Sequence, residues 1–109
     1  MREKRTINGL THLYQIGKLA LPVLQSTPGS RLIAVSSGGM YNSKFPRWKV
    51  ATNTANDTKY DGQLAYCYAK RGQVLLCEHW AAVYKNKVTV VSCHPGSPSF
   101  SQQNIFIFV

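Results

Sequence analysis

The chain has 109 residues, room for one small domain with a modest buried fraction and too few for a complete doubly wound dinucleotide fold. Its 13 Lys and Arg stand against 4 Asp and Glu, a balance that raises nucleic-acid binding as a first thought. The cations are scattered from Arg2 to Lys87, with aromatic residues (Tyr41, Trp48) interleaved locally among Lys44, Arg47 and Lys49, so no nucleic-acid partner is expected.

In chain order, Met1 to Arg5 lacks the apolar core of a signal peptide. From Leu10 to Leu24 apolar residues recur at helical spacing (Leu10, Leu13, Tyr14, Leu21, Leu24), closed by Pro28-Gly29-Ser30. Arg31 to Ser36 is apolar and β-branched at its centre, a short buried strand ending in the turn residues Ser36-Ser37-Gly38-Gly39. Gly38 to Gly62, with Pro46, Asn53, Asn56 and Asp57, reads as one long solvated loop.

A helix then runs from Gln63 to Tyr84. Tyr66, Lys70 and Gln73 share one of its faces, while Leu64, Val74, Leu75, Trp80 and Val83 supply apolar surface to the sheet and to a partner. Val88 to Ser92 is a second strand, followed by Cys93-His94-Pro95-Gly96. Strand, helix, strand in this order predicts a parallel pair, with ligands beyond the carboxyl ends of the strands, beside Ser37 and Pro95-Gly96. With so few strands, the sheet is expected to keep an unpaired edge.

Tyr66 and Lys70 carry the chemistry. Residues four apart on a helix project the same way. A phenol by itself titrates near pH ~10, and a positive charge held beside it favours the ionised form. The pair therefore suits general acid/base work on a substrate oxygen.

The joint pattern of Val35-Ser36-Ser37-Gly38-Gly39-Met40-Tyr41, Ala65-Tyr66 through Lys70-Arg71, and His94-Pro95-Gly96 resembles the short-chain dehydrogenase/reductases over roughly residues 18 to 96. That resemblance implies an α/β fold, a partial Rossmann-like doubly wound parallel sheet of which the chain holds the C-terminal half. It also implies an NAD(P)-dependent oxidoreductase that passes a hydride between NAD or NADP and a carbonyl or alcohol substrate. Ser37 would hydrogen-bond the reacting oxygen, Tyr66 would exchange its proton, and Lys70 would support Tyr66 and hold the nicotinamide ribose. Ser36, Tyr66, Lys70, Pro95 and Gly96 would line the cofactor. The family also uses a relay asparagine, for which Asn8 is the candidate; Asn8-Gly9 reads equally as a turn pair. A homo-oligomer is among the implied partners.

The chain departs from the family in having no G-x-G-x-x-G turn, the phosphate cradle of a dinucleotide fold. An alternative reading is a non-catalytic truncated isoform or gene fragment acting through pairing with related subunits.

Residues 1–96 form the expected domain, and residues 97–109 a divergent tail. Its end, Ile105-Phe106-Ile107-Phe108-Val109, has strong β-propensity and no charge, and is expected to be exposed and prone to aggregation. It falls far short of the ~20 apolar residues of a membrane-spanning helix, so no span is expected. Cys67, Cys77 and Cys93 form no C-x-x-C pair and are expected as free thiols, with no metal site and with cytoplasmic residence.

Overall fold

The structure is a computed structural model and describes residues 9–41, 43–51, 59–94 and 106–107. Helix α1 spans Gly9–Gln25 and strand β1 Arg31–Val35. A single 3-10 turn covers Gly38–Tyr41, short helix α2 covers Trp48–Ala51, and long helix α3 covers Gly62–Val83. Strands β2 (Thr89–His94) and β3 (Phe106–Ile107) complete a sheet of order β1-β2-β3.

Each helix begins and ends for a local reason. The α1 terminus at Gln25 leaves carbonyls that three hydroxyls satisfy: Ser26 donates to Pro22 O (3.3 Å), Thr27 to Val23 O (3.1 Å) and Ser30 to Leu24 O (2.6 Å). Gly29 then takes φ +74°, which reverses the chain into β1 without a Cβ penalty. Asp61 caps α3, accepting from Gln63 N at 3.0 Å and Leu64 N at 3.2 Å. Asn86, at φ 71°, turns the chain from α3 towards β2.

β1 and β2 pair in parallel from Arg31↔Thr89 to Val35↔Cys93, with α3 as the crossover between them. Leu32, Ala34, Val90 and Ser92 face the helices; Ile33 and Val35, on the other face of β1, are 58 % and 55 % exposed. The main core lies between this inner face and the two long helices, where Leu21, Ala34, Cys77, Trp80, Val88 and Val90 pack together. Trp80 is its largest member, and its indole lies against the backbone of Gly17 in α1.

The segment after the first strand differs from its expectation. Within Gly38 to Gly62 the described residues include a 3-10 turn and α2, and Ala51 is fully buried. Leu10, Ala51 and Ala69 form a second small core there, flanked by Phe45 and Tyr68. The Pro and Asn content signals a loop, whereas Phe45 and the buried Ala51 of the four-residue helix Trp48–Ala51 anchor the described part of the segment on α3.

Two residues of the tail, Phe106 and Ile107, are described. Phe106 and Ile107 pair antiparallel with His94 and Cys93, so the end of β2 is not an open edge. At these two residues the β-propensity read in the sequence is met by pairing within the chain. β1 lies at the other edge of the sheet.

Burial also sets thiol chemistry. Cys77 is fully buried in the main core, and this desolvation pushes its thiol from 9.0 up to about 11. Between those values the unfolded chain releases the Cys77 proton while the folded chain keeps it, so this group removes stability as pH rises from 9 towards 11. Cys77→Ala should flatten that part of the stability–pH curve, although its midpoint at pH 7 falls. Urea denaturation at pH 7, 9 and 10 measures both effects, and an unchanged slope between pH 9 and 10 would refute the assignment.

Candidate active site

The site is built where β1 ends and α3 passes it. Ser36 continues the parallel ladder by one bond, its N–H donating to Cys93 O at 2.6 Å. Its side chain is 5 % exposed and donates from Oγ to Lys70 O at 3.0 Å. Lys70 reaches back to the strand, its Nζ donating to Val35 O at 3.0 Å. Residue 70 of α3 is thus fixed at the height of the carboxyl end of β1.

Tyr66 follows from that height. α3 runs back against the strands, as a crossover between parallel neighbours must, so residues before Lys70 lie past the strand end. Four residues at about 1.5 Å each place Tyr66 roughly 6 Å beyond it. Tyr66 is 52 % exposed, and the Lys70 ammonium lies over its ring, 5.6 Å from the centroid. A phenol and an ammonium therefore share one accessible face at the carboxyl ends of two parallel strands, where open α/β sheets take their ligands.

Ser37 is half-buried and leads directly into the 3-10 turn Gly38–Tyr41, which packs on α3. His94, at the end of β2, reaches the same region: its Nε2 lies 3.7 Å from where a Cβ on Gly38 would stand. The sequence places His94 just after the second strand; the structure includes it in β2 and brings its imidazole against Gly38. Pro95, Gly96 and Asn8 lie outside the described residues. Gln73, the third residue expected on the Tyr66 face, lies within about 20° of Tyr66 around the helix, but two turns further along α3 it is 9 % exposed, because there the same face packs on the sheet.

An apolar cavity of about 260 Å³ opens elsewhere on α3, lined by Leu10, Tyr14, Phe45, Trp48, Leu75 and His79 among others. At about 100° per residue, Gly72, Leu75 and His79 fall on the far side of α3 from Tyr66 and Lys70, with Leu76 at the flank. This cavity is no part of the Tyr66 face. Among the described residues no three His, Cys, Asp or Glu side chains gather as metal ligands, and no helix is long and apolar enough to cross a membrane.

No family model matches the chain, and no solved structure matches it. Two curated proteins do. The chain is 34 % identical over 95 residues to dehydrogenase/reductase SDR family member 12 of Bos taurus, covering 86 % of this chain and 28 % of that protein. It is 38 % identical over 76 residues to the Homo sapiens protein of the same name, covering 70 % of this chain and 23 % of that protein. The chain is related to the short-chain dehydrogenase/reductases. It spans about a quarter of the length of the curated relatives it matches. The α/β arrangement, with a parallel strand pair crossed over by a helix, is compatible with part of a Rossmann-like sheet.

Proposed function

We propose that the chain contributes the proton-transfer and nicotinamide-binding part of an NAD(P)-dependent oxidoreductase acting on a carbonyl or alcohol substrate, built on part of a Rossmann-like sheet. The observation that supports this reading best is the Tyr66/Lys70 face, held past the carboxyl end of β1 by two hydrogen bonds at residue 70. The relationship to short-chain dehydrogenase/reductases points to the same chemistry.

The residues present fit the nicotinamide end of a dinucleotide. Lys70 offers an ammonium that can turn from the Val35 carbonyl to a ribose hydroxyl. Ser37 stands at the start of the turn, where its hydroxyl can hold a substrate oxygen. Tyr66 gives a proton to that oxygen during reduction and takes one during oxidation. NAD or NADP, when bound, supplies the hydride chemistry.

Titration with NADH and with NADPH, followed by cofactor fluorescence, tests the reading. Saturable binding of at least one is expected, weakened about tenfold by Lys70→Ala, the loss of one charge-assisted hydrogen bond of roughly 1.4 kcal/mol. No saturable change with either cofactor up to millimolar concentration would remove the proposal.

A further inference from the structure

Ser36 stands beside Ser37 in the sequence, and the resemblance placed it along the cofactor. Its geometry points to another task. At 5 % exposure its hydroxyl is enclosed, and the proton it carries is donated to the backbone carbonyl of Lys70, 34 positions further along the chain. Its N–H is joined to Cys93 O in β2 at 2.6 Å. One small residue therefore ties together β1, β2 and α3 at the level where the site opens.

We propose that Ser36 is a positioning residue: its hydroxyl fixes the height of α3 against the end of β1, and so sets where Lys70 and Tyr66 stand relative to Ser37. The role of that geometry in catalysis rests on the function proposed above. The Ser36 and Lys70 hydrogen bonds interlock: the strand-end side chain binds the helix backbone, and the helix side chain binds the strand-end backbone at Val35. Without the Ser36 hydroxyl, the flexible four-carbon stem of Lys70 is left to hold the strand end to this turn of α3, and the local height of the helix against the strand is less sharply set. Tyr66, one turn nearer the helix start, moves with it. Ser37 stays with β1. In this way Ser36 sets the distance between the two hydroxyls through the placement of α3.

A fluorine probe on the tyrosines reads this positioning directly. In full-length chain labelled with 3-fluorotyrosine, the Tyr66 line is identified by its disappearance in Tyr66→Phe. A single narrow Tyr66 line that shifts in Lys70→Met is expected for the parent chain. In Ser36→Ala that line should broaden or split, and its response to Lys70→Met should fall by half or more. Ser36→Thr, which keeps the hydroxyl, should restore both. Should Ser36→Ala fail to fold, Ser36→Cys takes its place, with similar volume and a far weaker donor. A Tyr66 line in the alanine or cysteine variant that matches the parent, with the full response to Lys70→Met, overturns the proposal.

The cofactor titration runs beside this experiment and answers a different question. Parent chain that binds neither NADH nor NADPH sinks the proposed function, while the fluorine lines still decide whether Ser36 positions Tyr66. With turnover present, Ser36→Ala should lower kcat about 10- to 100-fold, the range for a displacement near 1 Å at the reacting groups, and leave KM within twofold of the parent.

Discussion

Gly17→Ala is expected to lower the melting temperature by about 10 °C, against the usual direction of such a change. An alanine in a helix interior is favoured over glycine by about 1 kcal/mol, so an exposed site would gain stability. Gly17 is buried, and a Cβ built there would overlap Trp80 Cη2 and lie 2.5 Å from Cζ3. Trp80 is 6 % exposed and cannot swing aside as the tip of a flexible side chain could. Overpacking of this kind costs about 1–3 kcal/mol and more where the neighbour is rigid. A net loss of roughly 2 kcal/mol corresponds to about 10 °C for a domain of this size. Gly72 is a second close approach: its added Cβ would lie 2.6 Å from Leu10 Cδ2 and 2.8 Å from the Phe45 ring, so an alanine there is expected to cost stability as well. The double variant Gly17→Ala/Trp80→Phe separates the causes. In the smaller-ring background the alanine should be neutral or stabilising. A melting temperature that rises in Gly17→Ala alone would show that α1 and α3 do not meet at this point.

The same helix pair shows what the sequence could and could not reveal. Apolar spacing from Leu10 to Leu24 was enough for α1, which the structure extends by one residue at each end. It could not show that Gly17 is the point of closest approach to a tryptophan 63 positions later, because pairing between helices depends on tertiary packing. The run Leu32-Ile33-Ala34-Val35 reads as a strand buried on both faces. In the structure only Leu32 and Ala34 turn towards the helices, and Ile33 and Val35 stay exposed. On α1, Ile16, Leu19 and Val23 are likewise exposed, at 62 %, 79 % and 67 %. The stretch after Gly38 reads as a loop because loop-forming residues outnumber apolar ones there, and its described part nevertheless holds a 3-10 turn and α2. A one-turn helix anchored by Ala51 leaves almost no periodic trace.

The site was legible to a different degree at each position. Tyr66 and Lys70 sit on one face because four-residue spacing on a helix demands it, and the structure adds that this face is at the strand ends. The partner of Lys70, the carbonyl of Val35, left no mark in the sequence, since every residue carries one. Ser36 and Ser37 are chemically identical neighbours that a strand end sends in different directions. Burial separates them, with Ser36 enclosed and Ser37 half-buried.

Tyr66→Phe carries the largest expected effect on turnover. The change removes one oxygen and leaves the ring in place, so the position of the Lys70 ammonium over the ring, 5.6 Å from its centroid, is kept. With Tyr66 52 % exposed, loss of the hydroxyl opens no cavity in the core, and the melting temperature should move by no more than a few degrees. Cofactor affinity should hold, because the ammonium of Lys70 and the backbone around Gly38 are untouched. What disappears is the group that exchanges a proton with the substrate oxygen, worth about 10²–10⁴ in rate. Reduction of a panel of small aldehydes and ketones, followed by oxidation of the cofactor that binds, measures it: kcat should fall by at least a hundredfold, with cofactor affinity within twofold of the parent. Lys70→Ala should behave differently, losing affinity and rate together, because one side chain serves both the ribose and the phenol. A Tyr66→Phe variant that keeps more than a tenth of the parent kcat would move the proton-transfer role elsewhere. Within the described site, the imidazole of His94 beside Gly38 is the group that would have to take it.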